Sequence, residues 1–277
     1  MKKIGFIDHF LNEWHADNMP EWIDKFADGK MKVCYAWAEI DSPREGGLTN
    51  KAWAEKMNIE LCATQEEVIE KSDCIVVLSP DNSERHVELC KLALVSGKPV
   101  YVDKTFSVGL ADAKEIVNNA KNTPYYSCSA LRYDEDLINI DKNEIEAVYS
   151  LGPGVFEVYM VHTLEPLFML MGKAKRVIAL GEGDSSSLMF DYEKNRRATI
   201  NFVDNNIGFS TVVRYKNGEC AKLPFNSEYF VGFTKDLIKF FETGKPPVKI
   251  EDTVDIMSML DSCRKAVSSS GQWINIE

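Results

Sequence analysis

Lys104 and His162 are two residues whose side chains could transfer a proton in a reaction. Lys104 follows the apolar run 99–102 after a single aspartate, and a lysine just past a buried parallel strand faces the crevice where doubly wound sheets bind ligands. An imidazole such as that of His162 has an unperturbed pKa of about 6.5, which suits a base near neutral pH. The ordinary alternatives are a solvated surface lysine and a hydrogen-bonded core histidine. We interpret both residues as candidate catalytic groups.

The first half of the chain alternates short apolar runs with amphipathic stretches, which is typical of βαβ units and a parallel sheet. The predicted strands cover 3–7, 31–38, 73–78, 99–102 and 125–129, and the predicted helices cover 18–26, 49–57, 65–72, 83–96 and 108–122. The pattern predicts an α/β, Rossmann-type, doubly wound parallel sheet. Right-handed crossovers bring the strand ends to one side, so Lys104 and the loop 79–82 should border one crevice.

The second half changes rhythm, with strand-like stretches at 175–180, 186–192, 197–203, 209–215 and 219–223. Turns are predicted at Asp204-Asn205-Asn206 and Lys216-Asn217-Gly218, where Asn-Gly is a strong hairpin signal. Helices are predicted near 163–171, 227–243 and 252–270. This pattern predicts an α+β domain with a mostly antiparallel open sheet. The expected domains are a dinucleotide-binding domain at 1–130 and a substrate and oligomerisation domain at 131–277, with the option that the C-terminal helix packs back on the first.

Several motifs in sequence order carry a family resemblance. They are the strand, Pro-containing loop and helix-start histidine at 73–86, Gly97-Lys98-Pro99-Val100 with Asp103-Lys104, the stretch Gly152-Pro153-Gly154 to His162 and Glu165, and the C-terminal segments 240–247 and 252–271. Together they resemble the Gfo/Idh/MocA family of NAD(P)-dependent sugar and polyol oxidoreductases. Each motif alone is weak, but their order along the whole chain makes the resemblance specific.

The resemblance implies an enzyme that transfers hydride between nicotinamide and a hydroxyl-bearing carbon of a sugar, polyol or related small molecule. It implies NAD or NADP as cofactor and Lys104 and His162 as the proton-handling residues. The implied cofactor-binding residues are Ile7, Asp8, His9, Phe10, Glu39, Ser79, Pro80, Asp81, Asn82, Asp103 and Lys104. Glu39 or Asp41 could hold the adenosine ribose hydroxyls, which favours NAD, whereas the nearby Arg44 argues for NADP.

The first turn departs most from the family pattern. The family opens with a glycine-rich turn whose backbone approaches the pyrophosphate at a helix N-terminus. Here no glycine follows Gly5 before residue 29, and Asp8 and Glu13 stand near the expected phosphates. Side chains and negative charge both oppose pyrophosphate binding. We predict weak dinucleotide affinity, with Asp8 as a principal reason.

Two further departures concern the catalytic positions. Thr105 replaces the family's proline after Lys104, and Val158 replaces an aspartate four residues before His162, so that Glu165 or Glu157 would have to stand in. The alternatives to an enzyme are therefore a cofactor-binding-deficient ligand-binding or regulatory homologue that kept the fold, or a structural partner subunit.

The composition narrows the partners. The 32 basic and 43 acidic residues give a net charge of −11, which disfavours nucleic acid and anionic membranes. Seven widely spaced cysteines without a Cys-x-x-Cys pair predict neither a zinc site nor a disulfide framework, so no metal is expected. The apolar run after Met1 ends at Asp8, too early for a signal peptide. We expect a cytoplasmic homodimer or homotetramer, assembled through the C-terminal sheet.

Overall fold

The computed structural model describes residues 1–181, 183–203, 207–225 and 228–277. These residues divide into two compact units. Unit 1 comprises Met1–Cys128 and Phe233–Thr253, and unit 2 comprises Ser129–Gly232 and Val254–Glu277.

Unit 1 is built on a six-stranded parallel sheet. In chain order its elements are β1 (Lys2–Asp8), α1 (Trp14–Phe26), β2 (Met31–Ala38), α2 (Asn50–Met57), β3 (Glu60–Leu61), α3 (Gln65–Lys71), β4 (Cys74–Val77), α4 (His86–Ala93), β5 (Val100–Val102), α5 (Leu110–Asn119) and β6 (Tyr125–Tyr126). The strand order is β3-β2-β1-β4-β5-β6. Because the order reverses between β1 and β4, the carboxyl ends of these two strands form the switch point where such sheets bind ligands. The predicted doubly wound sheet is confirmed.

Gly5 lies inside β1 rather than in the turn that follows it. A Cβ atom there would lie 2.3 Å from Ser72 Oγ and 2.4 Å from Val68 Cγ1, closer than real contacts allow. Glycine is therefore needed because helix α3 and the residue after it pack directly against the strand. Gly5 therefore allows close packing in the core, and the turn after β1 contains no glycine.

Unit 2 contains a seven-stranded mixed sheet. The elements after β6 are α6 (Glu135–Asn139), β7 (Ile145–Pro153), α7 (Phe156–Met171), β8 (Arg176–Leu180), β9 (Ser187–Asp191), β10 (Arg197–Val203), β11 (Ser210–Tyr215), β12 (Cys220–Leu223), α8 (Tyr229–Thr243), α9 (Ile250–Ser268) and β13 (Trp273–Asn275). The order is β12-β11-β7-β10-β9-β8-β13, and the β7–β10 pair is parallel while the other pairs are antiparallel. This confirms the predicted mostly antiparallel sheet.

The hairpin predicted at Asn217-Gly218 joins β11 to β12, with Gly218 at a φ of +90°. Its strands pair antiparallel, Val213 with Ala221. The turn predicted at 204–206 and the predicted helix start at Ser227 lie outside the described residues. Strands β3, β7 and β13 were not predicted, since two of them are only two or three residues long and β7 contains a Gly-Pro pair that resembles a turn.

Two helix starts differ from the prediction. Helix α1 begins at Trp14 instead of 18, because Glu13 caps it. Helix α7 begins at Phe156 instead of 163, although Val158 and Val161 give that segment the look of a strand. His162 therefore lies in the middle of a helix rather than at its start.

Among the described residues, no helix is both long and apolar enough to cross a membrane.

Candidate active site

The first turn of unit 1 carries a carboxylate on the N-terminus of α1. Glu13 is the N-cap residue, and its Oε2 accepts a hydrogen bond from the backbone N–H of His15 at 2.7 Å. Its Oε1 accepts from the backbone N–H of Ala16. Acidic side chains stabilise a helix at this end, where free N–H groups and the helix dipole give partial positive charge. The amides that could bind an anion are thus already satisfied by the chain itself.

Asp8 ends β1 and is only 1% exposed. Its Oδ1 accepts the backbone N–H of His9 at 2.6 Å, while Oδ2 is buried without a hydrogen-bond partner. Burial, with Glu13 and Asp103 as negative neighbours, raises the pKa of Asp8 well above its usual range. Burial, with Asp103 nearby, also raises the pKa of Glu13 to about 7, against the opposing effect of His15. The turn therefore holds two buried carboxyl groups that are both harder to ionise than usual.

Helix α1 is tied to the residue after β5 by His15, to which the sequence assigns no role. His15 Nδ1 hydrogen-bonds Asp103 Oδ2, and Asp103 is fully buried. Burial by itself raises the pKa of Asp103, but the charge and hydrogen bond of His15 together with Lys104 lower it overall. An imidazole held at Nδ1 by a buried carboxylate is oriented for proton transfer at Nε2. The signal in the sequence was slight, since the two residues are 88 positions apart.

Lys104 lies at the carboxyl edge of the sheet, two residues after β5 ends. Its backbone N–H donates to Asp103 Oδ1 at 2.8 Å, and the residue is 9% exposed. The preceding Asp103 N–H donates to the Val77 carbonyl at the end of β4, which fixes this edge beside the switch point. The Lys104–Thr105 peptide bond is cis. A nearly buried lysine side chain at this edge could donate a proton to a ligand as the ammonium, or accept one as the neutral amine.

Glu39, the first residue after β2, is engaged by two side chains. Its Oε2 accepts from Arg85 Nε at 2.8 Å and lies 2.7 Å from His9 Nδ1, and its Oε1 accepts from Arg85 Nη2 at 2.5 Å. Burial alone raises the pKa of Glu39, but the bonds from Arg85 and His9 lower it below its usual value. The backbone N–H of Glu39 also donates to the Asp8 carbonyl. The structure therefore brings Asp8, His9 and Glu39 together as one edge of the crevice.

The loop after β4 forms a tight turn at the same edge. Ser79 is buried with a φ of +90°, and its Oγ donates to the Asn82 carbonyl at 3.0 Å. Positive φ is uncommon for a residue with a Cβ and is frequent at functional sites. Pro80 and Asp81 form the tip of the turn. Asp81 is exposed and pairs with Arg44, whose guanidinium also lies 5.3 Å from the centre of the Phe10 ring.

The remaining predicted residues line the same strand ends. Ile7 is fully buried in β1 and its carbonyl accepts from the Leu78 N–H, while Phe10 is 5% exposed. The cofactor-binding residues predicted from the sequence thus gather at the carboxyl ends of β1, β2, β4 and β5 within unit 1.

His162 belongs to unit 2, on helix α7. Its Nδ1 lies 2.7 Å from Ser129 Oγ, and Ser129 is fully buried and also accepts the Leu131 backbone N–H. The Tyr159 and Phe209 rings lie near the imidazole, at 6.2 Å and 5.8 Å between centres. These contacts fix the ring, so that the imidazole presents one orientation. The hydroxyl at Nδ1 can adapt as donor or acceptor when the other ring nitrogen gains or loses a proton.

The two carboxylates considered as substitutes for the missing aspartate have other partners. Glu165 is buried and pairs with Arg132, and Glu157 is exposed and bonds Arg264 Nε at 2.7 Å. Val158, at the family's aspartate position, is 42% exposed. The structure therefore gives both glutamates a structural ion pair.

The described residues contain one group of three potential metal ligands, Glu60, Cys62 and Glu67. Both carboxylates already accept from Lys71 Nζ, at 2.6 Å for Glu60. Burial raises the pKa of the Cys62 thiol to about 11, so the thiolate that a metal requires is disfavoured. This group lies at the β3 edge, away from the site described above.

The first turn does not fit a dinucleotide pyrophosphate in the conformation the structure shows. A phosphate needs close backbone approach and unsatisfied amides at the helix N-terminus. Here Glu13 fills the amides, and Asp8 and Glu13 bring negative charge. The rest of the edge, from Glu39 to Lys104, holds the other residues for which the family resemblance implies a role at the cofactor.

Comparison with known proteins supports the resemblance on two counts. Residues 39–127 match the model of an oxidoreductase family with an NAD-binding Rossmann fold, Gfo/Idh/MocA. The match begins directly after β2 and so leaves out the first turn. No curated protein matches the chain by sequence.

Solved structures share the fold over the full length. A probable dehydrogenase from Thermotoga maritima has a TM-score of 0.80 at 16% identity, covering 99% of this chain and 98% of that one. A myo-inositol 2-dehydrogenase from Lactobacillus plantarum has a TM-score of 0.80 at 14% identity, covering 100% and 99%. An oxidoreductase from Agrobacterium radiobacter, solved with NAD+, L-tartaric acid and magnesium, has a TM-score of 0.75 at 12% identity, covering 99% and 98%. The predicted resemblance is confirmed, and the fold agrees across both units.

Proposed function

We propose that this chain, a Gfo/Idh/MocA-type oxidoreductase by its matched segment and its fold, transfers hydride between a nicotinamide cofactor and a hydroxyl-bearing carbon of a sugar, polyol or related small molecule. The observation that carries the proposal is the place of Lys104, almost buried beside the β1/β4 switch point of a parallel sheet. Ligands of doubly wound sheets bind at this point. The structural relatives include a myo-inositol dehydrogenase, which supports a polyol as the substrate class.

Lys104 and His162 are the residues to which we assign the proton. Oxidation of an alcohol to a carbonyl releases the hydroxyl proton, and a base at that oxygen lowers the barrier. The Lys104 Nζ would bind the substrate oxygen and share its proton, and the His162 imidazole, fixed through Nδ1 by Ser129, would act at Nε2. Each assignment rests on the local geometry within its own unit.

For the cofactor we propose NAD in preference to NADP. Glu39 follows β2 at the position where a carboxylate binds the ribose hydroxyls in dinucleotide-binding folds. Its present partners, Arg85 and His9, would have to share it with the ribose. In Glu39→Ala, Arg85 could instead bind the 2′-phosphate of NADP. This variant should therefore prefer NADP to NAD, which tests the role of Glu39 directly. The Ile7–Phe10 turn and the Ser79–Asn82 loop would border the cofactor on either side.

The open face of the unit 2 sheet supports self-association. One row of outward residues crosses four neighbouring strand pairs: Tyr149 opposite Thr199, Thr199 opposite Met189, Met189 opposite Ile178, and Ile178 opposite Trp273. Tyr149, Met189 and Trp273 are 46%, 36% and 40% exposed. An apolar sheet face of this extent is typical of protein interfaces. We propose a homodimer or homotetramer formed through this face. We also propose that the protein is cytoplasmic, because seven free thiols and a net charge of −11 suit that reducing compartment.

Sedimentation tests the assembly. At micromolar concentration the parent should sediment as an oligomer and Met189→Lys as a smaller species, because a charge in the centre of the row opposes its burial. Val95→Lys alters an exposed apolar residue of unit 1 and serves as the matched control. A monomeric parent would contradict the proposed interface.

Activity tests the reaction. The parent is incubated with NAD or NADP and a panel of sugars and polyols that includes myo-inositol, and reduced nicotinamide is measured. We expect turnover with at least one polyol or sugar, reduced in Lys104→Met. Activity that Lys104→Met and His162→Ala both leave unchanged would remove these residues from the mechanism.

A further inference from the structure

A carboxylate of this chain caps the N-terminus of helix α1. In dinucleotide-binding folds the end of the first helix receives a phosphate, whose oxygens accept the free backbone N–H groups. In this chain both oxygens of the Glu13 carboxylate accept such groups, from His15 and from Ala16. Glu13 is 1% exposed, so the carboxylate lies inside the turn and not on its surface. A planar anion already occupies the position of the ligand's anion.

The surroundings of Glu13 explain why this carboxylate stays there. The ionisable groups around Glu13 are Asp8 at the end of β1, Asp103 after β5 and His15 on α1 itself. The other ionisable groups along this edge of the sheet are Lys104, His9, Glu39 and Arg85. Asp103 hydrogen-bonds His15 and has Lys104 as a positive neighbour, and Glu39 contacts Arg85 and His9. The charge of Glu13 is stabilised by the amides at the helix end and by the neighbouring His15.

The sequence places the main opposition to phosphate on Asp8, and this stays a prediction. In the structure Asp8 Oδ1 accepts the His9 N–H, whereas the amides of α1 are bound by Glu13. Glu13 is therefore the group whose removal opens the helix end.

We propose that Glu13 occupies, within this chain, the anion site at the N-terminus of α1, so that a diphosphate-bearing ligand binds only by displacing this side chain. The inference rests on the proposed function for the identity of that ligand, a dinucleotide. It assigns the weak affinity that the sequence predicts to direct competition for two backbone amides rather than to the negative charge of the molecule as a whole.

The experiment compares two ligands and three variants of the full chain. ADP-ribose carries the diphosphate, and adenosine carries none. Glu13→Ser removes the competing carboxylate and keeps a good N-cap residue, and Glu13→Gln keeps its size while removing its charge. Glu21→Ser removes one exposed negative charge from the same helix, one full turn or more from its N-terminus, and is the matched control. Binding is measured by calorimetry after circular dichroism has shown the same fold.

The expected result is selective. Glu13→Ser should bind ADP-ribose about tenfold more tightly than the parent, which corresponds to about 1.4 kcal/mol. Glu13→Gln should lie between the two, adenosine affinity should stay within about twofold throughout, and Glu21→Ser should resemble the parent. If Glu13→Ser failed to fold, Glu13→Gln would still have to show tighter ADP-ribose binding.

Three outcomes overturn the inference. They are unchanged or weaker ADP-ribose binding in both Glu13 variants, an equal gain for adenosine, and an equal gain in Glu21→Ser. None of them bears on turnover, which the polyol panel measures separately in the parent. The proposed reaction can thus fail while the competition at α1 stands, and the reverse.

Discussion

The His15 imidazole and the Asp103 carboxylate form a buried hydrogen-bonded pair that joins the first turn of α1 to the residue after β5. Asp103 also accepts from the Lys104 backbone N–H, so the same carboxylate orients the candidate catalytic lysine. The pair thus connects the helix that should receive a cofactor with the edge that should receive a substrate.

Replacing His15 with alanine should leave the buried Asp103 charge without its partner. We expect the free energy of unfolding to fall by about 3 kcal/mol near neutral pH, as measured by urea denaturation. Because the pKa of Asp103 is lowered in the folded state, its contribution is present above the ordinary value of 3.8 and is lost as the pH falls through the folded value. The difference between parent and variant should therefore shrink in acid. A double-mutant cycle with Asp103→Asn that gives additive effects would contradict the pairing.

Glu13 should give the protein an opposite pH dependence. Its pKa is raised from 4.5 to about 7, so the folded state holds this proton more tightly than the unfolded state. Stability contributed at this residue is present below about pH 4.5 and is lost as the pH rises through about 7, by roughly 3 kcal/mol at most. Glu13→Gln carries no such proton and should show a smaller decline between these values. Parallel pH curves for parent and variant would show that Glu13 titrates normally.

Lys104→Met should lower turnover about 10²-fold or more while leaving the fold intact, since it removes a positioned proton-transfer group and keeps the aliphatic length. The measurement is the rate of nicotinamide reduction with the best substrate of the panel. Lys114→Met, on α5, tests the loss of a lysine elsewhere in unit 1. Equal rates for parent and Lys104→Met would leave Lys104 as a structural residue.

His162→Ala should also lower turnover by about 10²-fold. Ser129→Ala keeps the imidazole but removes the contact at Nδ1, so we expect a smaller loss together with a shifted pH profile of kcat. A change in KM alone, with kcat and its pH profile unaltered, would indicate that Ser129 only helps to shape the unit.

The strand pattern of unit 1 could be predicted because each buried parallel strand is a short apolar run followed by a polar residue. Glu39, directly after β2, and Lys104, two residues after β5, can be predicted in this way. His15 could not be found, since its importance comes from Asp103, which only the sheet order brings near. The role of Glu13 depends on the helix starting at Trp14, four residues earlier than the pattern suggested.

In unit 2, two elements could not be predicted from the sequence pattern. Its antiparallel strands alternate clearly in the sequence, but β7 contains Gly152-Pro153 and was not recognised as the strand that pairs in parallel with β10. The segment before His162 has β-branched residues and yet is the first part of helix α7, which packs against β7. Tertiary packing decided both cases.

Titration of the parent with NADH and NADPH, followed by their fluorescence, decides whether this chain binds a nicotinamide cofactor. We predict saturable binding, weaker than the low micromolar range, with NADH preferred. Adding the polyol found in the activity panel should change the titration. An absence of saturable binding by either nucleotide to the folded parent would contradict a nicotinamide-dependent oxidoreductase.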